Sequence, residues 1–396
     1  HILTGAGRRV GMASTDGIYI GERRIDTGDC SGPLSAQKVL MNPAVDAAVL
    51  ETARGGILRA GLGFDQCDVA VVTNIGEGDH LGLADIETPE KLAWVKSTLV
   101  FVVKPTGTAV LNAADPLVAN MAEYCKGSVL YFALDGEHPI LSAHRAQGGR
   151  AVFVRDNVIV LAEGEAITPL IPLADVPLTH GGRIGFQVEN VLAATGAVWS
   201  LGLPLPMLRL GLMSFTNDLD KIPGRFNLLE IGGATVILDY GHNVSALERL
   251  LEAIASFPHE RRTVVYSAAG DRRDGDIIRQ GELLGDAFDR VILYEDPSVF
   301  RGRAPGEIAA LFRKGLASGT RVSEIQEVGS ALESVEVALK SARASELVLI
   351  QVDLIDESID LVRRYLASDA AGRPIDLTEA LQAPDSGAIL AAQVID

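Results

Sequence analysis

The stretch from residue 47 to residue 82, AAVLETARGGILRAGLGFDQCDVAVVTNIGEGDHLG, decides the fold. Its two short apolar runs, Ala47–Leu50 and Val69–Val72, are bounded by turn residues and predict two buried parallel strands. Glu51 follows the first run, and His80 lies in the Gly-rich loop after the second. Because ligands of open α/β sheets lie at the carboxyl ends of strands, the two side chains together favour a Mg²⁺ site. If each residue is considered alone, the simpler interpretation is that Glu51 merely ends a strand and that His80 is an ordinary loop residue.

Composition sets the broad class of the protein. The 396 residues, 47% of them hydrophobic and 22% charged, are enough for two domains with cores of their own. The net charge of −17 and the lack of a Lys/Arg block argue against a nucleic-acid partner, whereas the acidity is compatible with a cationic substrate. Three widely spaced cysteines form neither a disulfide framework nor a zinc pattern, and no apolar run reaches membrane-spanning length. We therefore expect a cytoplasmic protein without a membrane partner.

Changes of composition along the chain predict two domains and a tail. Short alternating segments within 126–180 predict a small antiparallel subdomain. The polar segment 216–224, which contains Pro and Gly, is the best boundary. The predicted domains are 1–221, with a central parallel sheet, and 222–368, a doubly wound α/β domain, followed by a flexible tail at 369–396.

Periodicity and turn signals place the other elements. A helix over 86–103 has Thr88 as its predicted N-cap, with Pro89 at its first position. Further helices are predicted near 185–202, 276–287, 306–318, 330–342 and 355–367, and further strands at Val10–Ala13, Ala109–Asn112, Thr235–Leu238, Val264–Ser267, Val291–Tyr294 and Leu347–Val352. This alternation predicts an α/β architecture.

Seven segments carry a resemblance to a known family. They are ETARGGILR (51–59), TNIGEGDHLG (73–82), GFQVEN (185–190), PGRFN (223–227), DYGHN (239–243), AAGDRRD (268–274) and YEDPSVFRGR (294–303). In this order they resemble motifs of the Mur-type ligases, and more particularly of the Mur-ligase-type module of cyanophycin synthetases. The resemblance implies a Mur-ligase-like central domain with a small antiparallel subdomain, followed by the C-terminal domain of the same family.

The resemblance also implies a catalytic set. Glu51 and His80 would hold one Mg²⁺, and Lys96, which is often carbamylated in the family, would ligate a second Mg²⁺. Arg225 would contact the γ-phosphate of ATP, a task that suits a permanently charged, forked guanidinium. The predicted catalytic residues are thus Glu51, His80, Lys96 and Arg225.

Further roles concern the nucleotide and the amino acid. By resemblance, Asn190 would reach the adenine of ATP, Asp239 would accept hydrogen bonds from its ribose, and His242 would lie close to the nucleotide. In the loops that hold the incoming amino acid in the family, a set of carboxylates could pair with a guanidinium: Asp271, Glu295 and Asp296. They could equally form internal ion pairs with nearby arginines: Arg272, Arg273 and Arg301.

The implied reaction is the ATP- and Mg²⁺-dependent addition of L-arginine to the β-carboxylates of a poly-aspartate (cyanophycin) primer, through an acyl phosphate. The resemblance further implies an upstream ATP-grasp module in the same polypeptide, and we expect a homo-oligomer. The motif G-x-x-x-x-G-K-[ST], which precedes the first helix in Mur-type ligases, does not occur in the sequence. We therefore expect an N-terminally truncated piece that is inactive on its own.

Two other functions stay open. One is a different Mur-type ligase, of the folate polyglutamate or peptidoglycan kind, although ARGGILR and AAGDRRD count against it. The other is an inactive remnant that serves in binding or assembly, which the missing phosphate-binding motif supports. An amino-acid activation assay separates these possibilities.

Overall fold

A computed structural model describes residues 1–76, 81–82 and 84–370. The chain forms two compact units: the first contains His1–Thr216 and Glu252–Ser256, and the second contains Asn217–Leu251 and the chain from Phe257 onward. His80 and nearly all of the predicted tail lie outside the described residues. Within the described part, no helix is both long enough and apolar enough to cross a membrane.

The first unit contains ten strands and nine α-helices among the described residues. The strands are β1 (Val10–Ser14), β2 (Gly17–Ile20), β3 (Arg23–Thr27), β4 (Ala47–Leu50), β5 (Cys67–Val72), β6 (Val103–Asn112), β7 (Ser128–Asp135), β8 (Arg150–Arg155), β9 (Val158–Glu163) and β10 (Ala166–Pro172). The helices are α1 (Ile2–Gly5), α2 (Pro33–Leu40), α3 (Arg54–Ala60), α4 (Pro89–Lys96), α5 (Thr98–Phe101), α6 (Pro116–Ala119), α7 (Pro139–Ala146), α8 (Gly185–Ser200) and α9 (Leu205–Ser214).

The two strands predicted from the stretch 47–82 exist, but they belong to different sheets. β4 ends a four-stranded sheet of order β3-β2-β1-β4 and runs parallel to β1, whereas β5 ends a six-stranded sheet of order β10-β9-β8-β7-β6-β5 and runs parallel to β6. The prediction that both are buried was wrong for β4, where Val49 is 45% exposed, and holds only in part for β5, where Val71 is 37% exposed. Among the described residues, each of these strands is the last one of its sheet, with a paired neighbour on one side.

The small antiparallel subdomain predicted for 126–180 is not a separate sheet. β7 is parallel to β6, and β8 is parallel to β7, so the main sheet continues through this segment. The antiparallel pairings of this sheet are β8 with β9 and β9 with β10, at one end of it. Their short alternating pattern is typical of hairpins, and it concealed the crossover through α7 that makes β7 and β8 parallel.

One predicted helix is divided, and another is fixed by its packing. The helix expected over 86–103 begins at Pro89, with the Thr88 hydroxyl accepting from the Lys91 N–H, and breaks at the buried Ser97. Helix α8 packs on the six-stranded sheet through Gly196. A Cβ at that position would lie 2.9 Å from the Leu130 side chain, so glycine permits the close approach of helix and strand.

The second unit is the predicted doubly wound α/β domain. Its strands are β11 (Asn227–Ile231), β12 (Ala234–Asp239), β13 (Arg261–Tyr266), β14 (Arg290–Tyr294), β15 (Glu324–Val328) and β16 (Glu346–Gln351). Its helices are α10 (Val244–Ile254), α11 (Asp274–Ala287), α12 (Glu307–Leu316), α13 (Ala331–Ser341) and α14 (Ile355–Ala370). The strand order is β11-β12-β16-β13-β14-β15, and every pairing is parallel except β11 with β12. The carboxyl ends of β12, β16, β13 and β14 therefore meet at one edge.

Candidate functional site

The best-organised group of polar side chains lies at this carboxyl edge of the second unit, which we call the strand-end edge. It comprises the residues that follow β12, β13, β14 and β16, together with the loop 223–227. In an open parallel sheet this is the edge that binds ligands. Six of the predicted site residues belong to it: Arg225, Asp239, His242, Asp271, Glu295 and Asp296.

The loop that carries Arg225 is held on both sides of that residue. The Gly224 carbonyl accepts from the Tyr240 N–H at 2.8 Å, and the Phe226 N–H donates to Asp239 Oδ2 at 2.8 Å. The buried Asn227 side chain accepts from the Gly224 N–H at 2.6 Å. The Arg225 guanidinium lies over the Tyr240 ring, with its central carbon 5.1 Å from the ring centroid. This geometry fixes a permanent positive charge at the strand-end edge.

Asp239 organises this loop through its carboxylate. Besides the bond from Phe226, its Oδ1 accepts from the Gly241 N–H at 2.6 Å. Burial raises the pKa of Asp239 to about 6, against the lowering effect of these hydrogen bonds and of the Arg225 charge. The predicted ribose acceptor thus already serves two backbone donors of its own loop, and each of its oxygens keeps a further lone pair.

His242 is oriented by its neighbours. Its Nδ1 lies 3.0 Å from the Tyr240 carbonyl oxygen, and the two rings pack edge to face with centroids 4.8 Å apart. The buried Gln280 side chain donates to the His242 carbonyl at 3.1 Å. Nδ1 therefore carries a proton and donates it to the Tyr240 carbonyl.

The predicted amino-acid loops use two of their three carboxylates internally. Asp271 Oδ2 forms an ion pair with Arg301 at 2.7 Å. Glu295 accepts from the Gly306 N–H at 2.6 Å and from the Ala309 N–H at 2.9 Å, so it caps the start of α12. Asp271 thus forms one of the arginine ion pairs that the sequence left open, whereas Glu295 binds backbone N–H groups instead of an arginine.

Sequence reasoning missed Asp353 at the same edge. It follows β16 by two residues, and its Oδ2 accepts from the Tyr294 hydroxyl at 2.7 Å. The signal was available, since the strand predicted over Leu347–Val352 ends immediately before this carboxylate and strand-end carboxylates were singled out elsewhere.

Three predicted site residues belong to the described part of the first unit, namely Glu51, Lys96 and Asn190. Both Glu51 carboxylate oxygens accept from Thr15, from its N–H at 2.9 Å and from its hydroxyl at 2.8 Å. This contact joins the end of β4 to the turn between β1 and β2. Lys96 ends α4 and is half-buried, while Asn190 is an exposed residue of α8 whose amide donates to Gln187 at 3.1 Å.

Asp115 shapes the loop after β5. Its Oδ2 accepts from the N–H groups of Ile75 and Gly76 at 2.7 and 3.0 Å, while its Oδ1 caps α6. Through these contacts one carboxylate joins the start of the loop after β5 to the start of α6.

The described residues fit the two expected ligands differently. Arg225 presents a guanidinium suited to phosphate, as ATP would require. Within 1–76, 81–82 and 84–370, no group of three or more His, Cys, Asp or Glu side chains could hold a metal ion. A Mg²⁺ site at Glu51 therefore depends on His80, which is not among those residues.

Comparison with known proteins identifies the family of this chain. Residues 1–198 match the Mur ligase middle domain, and residues 224–351 match the Mur ligase glutamate ligase domain. The chain is 40% identical to a cyanophycin synthetase of Crocosphaera subtropica and 39% identical to that of a Synechocystis strain. Each alignment covers 92% of this chain and 41% of the relative, so the chain spans about two fifths of the length of these relatives.

Solved structures agree on the fold. E. coli FolC in complex with ADP superposes with a TM-score of 0.66 at 21% identity, covering 94% of this chain and 85% of that chain. A UDP-N-acetylmuramoyl-L-alanyl-D-glutamate–2,6-diaminopimelate ligase superposes with a TM-score of 0.54 at 22% identity, covering 94% and 75% of the two chains. The predicted α/β fold and the resemblance to cyanophycin synthetases are confirmed, and the chain belongs to the Mur ligase family.

Proposed function

We propose that this chain is the ligase module of a cyanophycin synthetase, which adds L-arginine to the β-carboxylates of a poly-aspartate backbone at the expense of ATP. The observation that carries the proposal is the position of the Arg225 loop. Both neighbours of Arg225 are hydrogen-bonded to the end of β12, and its guanidinium lies over the Tyr240 ring. The similarity to cyanophycin synthetases over 92% of the chain supports the substrate class.

The proposed reaction has two steps. A β-carboxylate oxygen of the primer attacks the γ-phosphorus of ATP, so ADP leaves and an acyl phosphate forms. The α-amine of arginine then attacks the acyl carbon, an isopeptide bond forms, and inorganic phosphate leaves while the amine loses a proton. Arg225 binds the transferred phosphoryl group and stabilises the charge on its oxygens. Mg²⁺, when bound, would offset further phosphate charge.

The other residues take the roles that the family resemblance gives them. We propose that Glu51 and His80 hold Mg²⁺, with Lys96 at a second metal, and that Asn190 reaches the adenine. We propose that His242 lies beside the nucleotide. Asp239 would accept from the ribose with the lone pairs that its two backbone donors leave. The primer would come from an ATP-grasp module of the same polypeptide.

Amino-acid incorporation tests this function. The polypeptide is expressed as its gene encodes it and is given ATP, Mg²⁺, a poly-aspartate primer whose terminal residue has a free β-carboxylate, and one labelled amino acid at a time. We expect incorporation of arginine, and a strong loss of it in Arg225→Lys. Incorporation of glutamate or diaminopimelate instead would indicate a ligase of the folate or peptidoglycan type, and no incorporation at all would indicate an inactive remnant.

A further inference from the structure

Asp353 is held in place by neutral donors from neighbouring strands. The Tyr294 hydroxyl donates to its Oδ2 at 2.7 Å, and the Gln351 amide donates to its Oδ1 at 3.1 Å. Gln351 is itself fixed, since its Oε1 accepts from the Ser267 N–H at 2.7 Å. Tyr294 and Gln351 are only 2% and 3% exposed. The network joins β14, β16 and β13, so it gives the carboxylate a defined position at the strand-end edge.

The charge of Asp353 is not matched by an ion pair. Within the part of the chain that the structure describes, no lysine or arginine forms an ion pair with it. Arg301, a nearby cation, is bonded to Asp271 instead. Burial raises the pKa of Asp353, and the charge of Asp296 adds to this effect, while His242 and Arg301 act against it. A largely buried carboxylate with neutral partners alone is costly to keep charged, and a bound cation would relieve that cost.

Two buried acceptors also lie near this edge, one just after β13 and one on helix α11, whose side chain donates to the His242 carbonyl. Ser267 Oγ and Gln280 Oε1 have no hydrogen-bond partner among the described residues, and both residues are 1% exposed. A guanidinium carries five N–H donors in one plane, more than a single carboxylate can accept. Two of the neighbouring carboxylates already bind groups of the protein, because Glu295 caps α12 and Asp239 accepts from backbone N–H groups.

We propose that Asp353 determines amino-acid specificity by binding the cationic side chain of the incoming amino acid. The proposal rests on the function proposed above and names a residue for its substrate. Tyr294 is the positioning residue, since its hydroxyl sets the orientation of the carboxylate. In contrast, Glu295 caps α12 and Asp271 forms an ion pair with Arg301.

Calorimetric binding to the polypeptide as its gene encodes it, with AMPPNP and Mg²⁺ present, tests the assignment. The probes are L-arginine, L-lysine and L-citrulline, which has nearly the shape of arginine without its charge. Asp353→Asn should weaken arginine binding on the order of 10- to 100-fold and leave citrulline binding unchanged. The matched control is Glu327→Gln, which alters a strand-end carboxylate that is paired with Arg313 and should leave arginine binding unchanged.

Tyr294→Phe keeps the buried ring and removes the orienting hydroxyl, so it provides a second test if Asp353→Asn does not fold. It should weaken arginine binding roughly threefold to tenfold while citrulline binding stays the same. Arginine affinity equal to the parent in both variants would overturn the assignment, as would a parent chain that binds none of the cationic probes. If the parent prefers lysine and Asp353→Asn abolishes lysine binding, Asp353 does bind the cationic side chain, but the substrate is lysine and the proposed arginine substrate is wrong.

Discussion

The Phe226 N–H donates to the Asp239 carboxylate, and together with the bond from the Tyr240 N–H to the Gly224 carbonyl this contact ties the Arg225 loop to the end of β12. Phe226 adopts a positive φ of 53°, a conformation that is strained for a bulky residue, and it is fully buried. Such strain persists only where the surroundings over-determine the backbone. We conclude that the position of Arg225 is enforced by the core of the second unit and by Asp239 together.

The first prediction concerns Asp239 and pH. Its pKa is raised from 3.8 to about 6, so the folded protein binds this proton more tightly than the unfolded chain. The contribution of Asp239 to stability is therefore greatest below pH 4 and declines as pH rises toward 6. Relative to Asp239→Asn, the free energy of unfolding of the parent should fall by about 3 kcal/mol at most across this range. Urea denaturation at several pH values measures it.

Asp286→Asn is the control of opposite sign for this experiment. Hydrogen bonds from the Thr320 N–H and hydroxyl, both 2.9 Å long, lower the pKa of Asp286, so its contribution to stability is lost as pH falls. If the difference in free energy of unfolding between the parent and Asp239→Asn did not change between pH 4 and 7, burial would not perturb the pKa of Asp239.

The second prediction concerns Arg225. Arg225→Lys keeps one positive charge but loses the fork that binds two phosphate oxygens, so ATP-dependent turnover of the encoded polypeptide should fall by about 100-fold. Thermal stability should change little. The 396-residue chain by itself, which lacks the phosphate-binding motif, should release phosphate from ATP no faster than its Arg225→Ala variant. Phosphate release above that control would contradict this.

How far the sequence predicts the structure differs between the two units. In the second unit, β12, β13, β14 and β16 are apolar runs that the sequence predicts, whereas the short β11, with sequence NLLEI, was not predicted. β15 was missed because its sequence, EIQEV, is polar, as suits a strand at the end of the sheet. In the first unit, hairpin-like segments concealed parallel pairing, because the partner of a strand is set by contacts that are remote in the chain.

The roles of single carboxylates were harder to predict than the strands. Glu295, Asp271 and Asp353 all follow strands, and the sequence gives no means of ranking them. What separates them is the partner each one meets: backbone N–H groups, an arginine and a tyrosine hydroxyl. These partners become visible only when the loops are folded.

The third prediction follows from the capping role of Glu295. Glu295→Ala removes the acceptor for two N–H groups at the start of α12, so the free energy of unfolding should fall by about 1 kcal/mol. Glu295→Gln retains one acceptor oxygen and should lose less. Neither variant should alter the preference for arginine over lysine. If a Glu295 variant changed the preference for arginine over lysine without changing stability, Glu295 would be a residue of the amino-acid site.

The fourth prediction concerns the metal. If Glu51 and His80 share one Mg²⁺, Glu51→Gln and His80→Ala should each weaken Mn²⁺ binding, measured by electron paramagnetic resonance, by about tenfold or more. The fold should be retained in both, with Glu51→Gln still able to accept from Thr15. Asp68→Asn, which alters an exposed carboxylate paired with Lys104, is the control. Equal Mn²⁺ affinity in the parent and both variants would rule out this pair of ligands.

The last prediction concerns the packing of α11 against α12 in the second unit. The two helices approach closely enough that a Cβ on Gly315 would overlap the Ile278 carbonyl oxygen, and a Cβ on Gly281 would lie 2.6 Å from the Phe312 carbonyl oxygen. Both obstacles are backbone atoms, which cannot move aside as a side chain can. Gly315→Ala should therefore force the helices apart and lower the free energy of unfolding by roughly 1–3 kcal/mol or more, despite the higher helix propensity of alanine. Gly275→Ala is the matched control, because a Cβ there has no neighbour within 4 Å, and it should be neutral or stabilising by up to about 1 kcal/mol. Urea denaturation followed by circular dichroism compares the two, and equal stability of both variants would show that the glycines are not what sets the helix spacing.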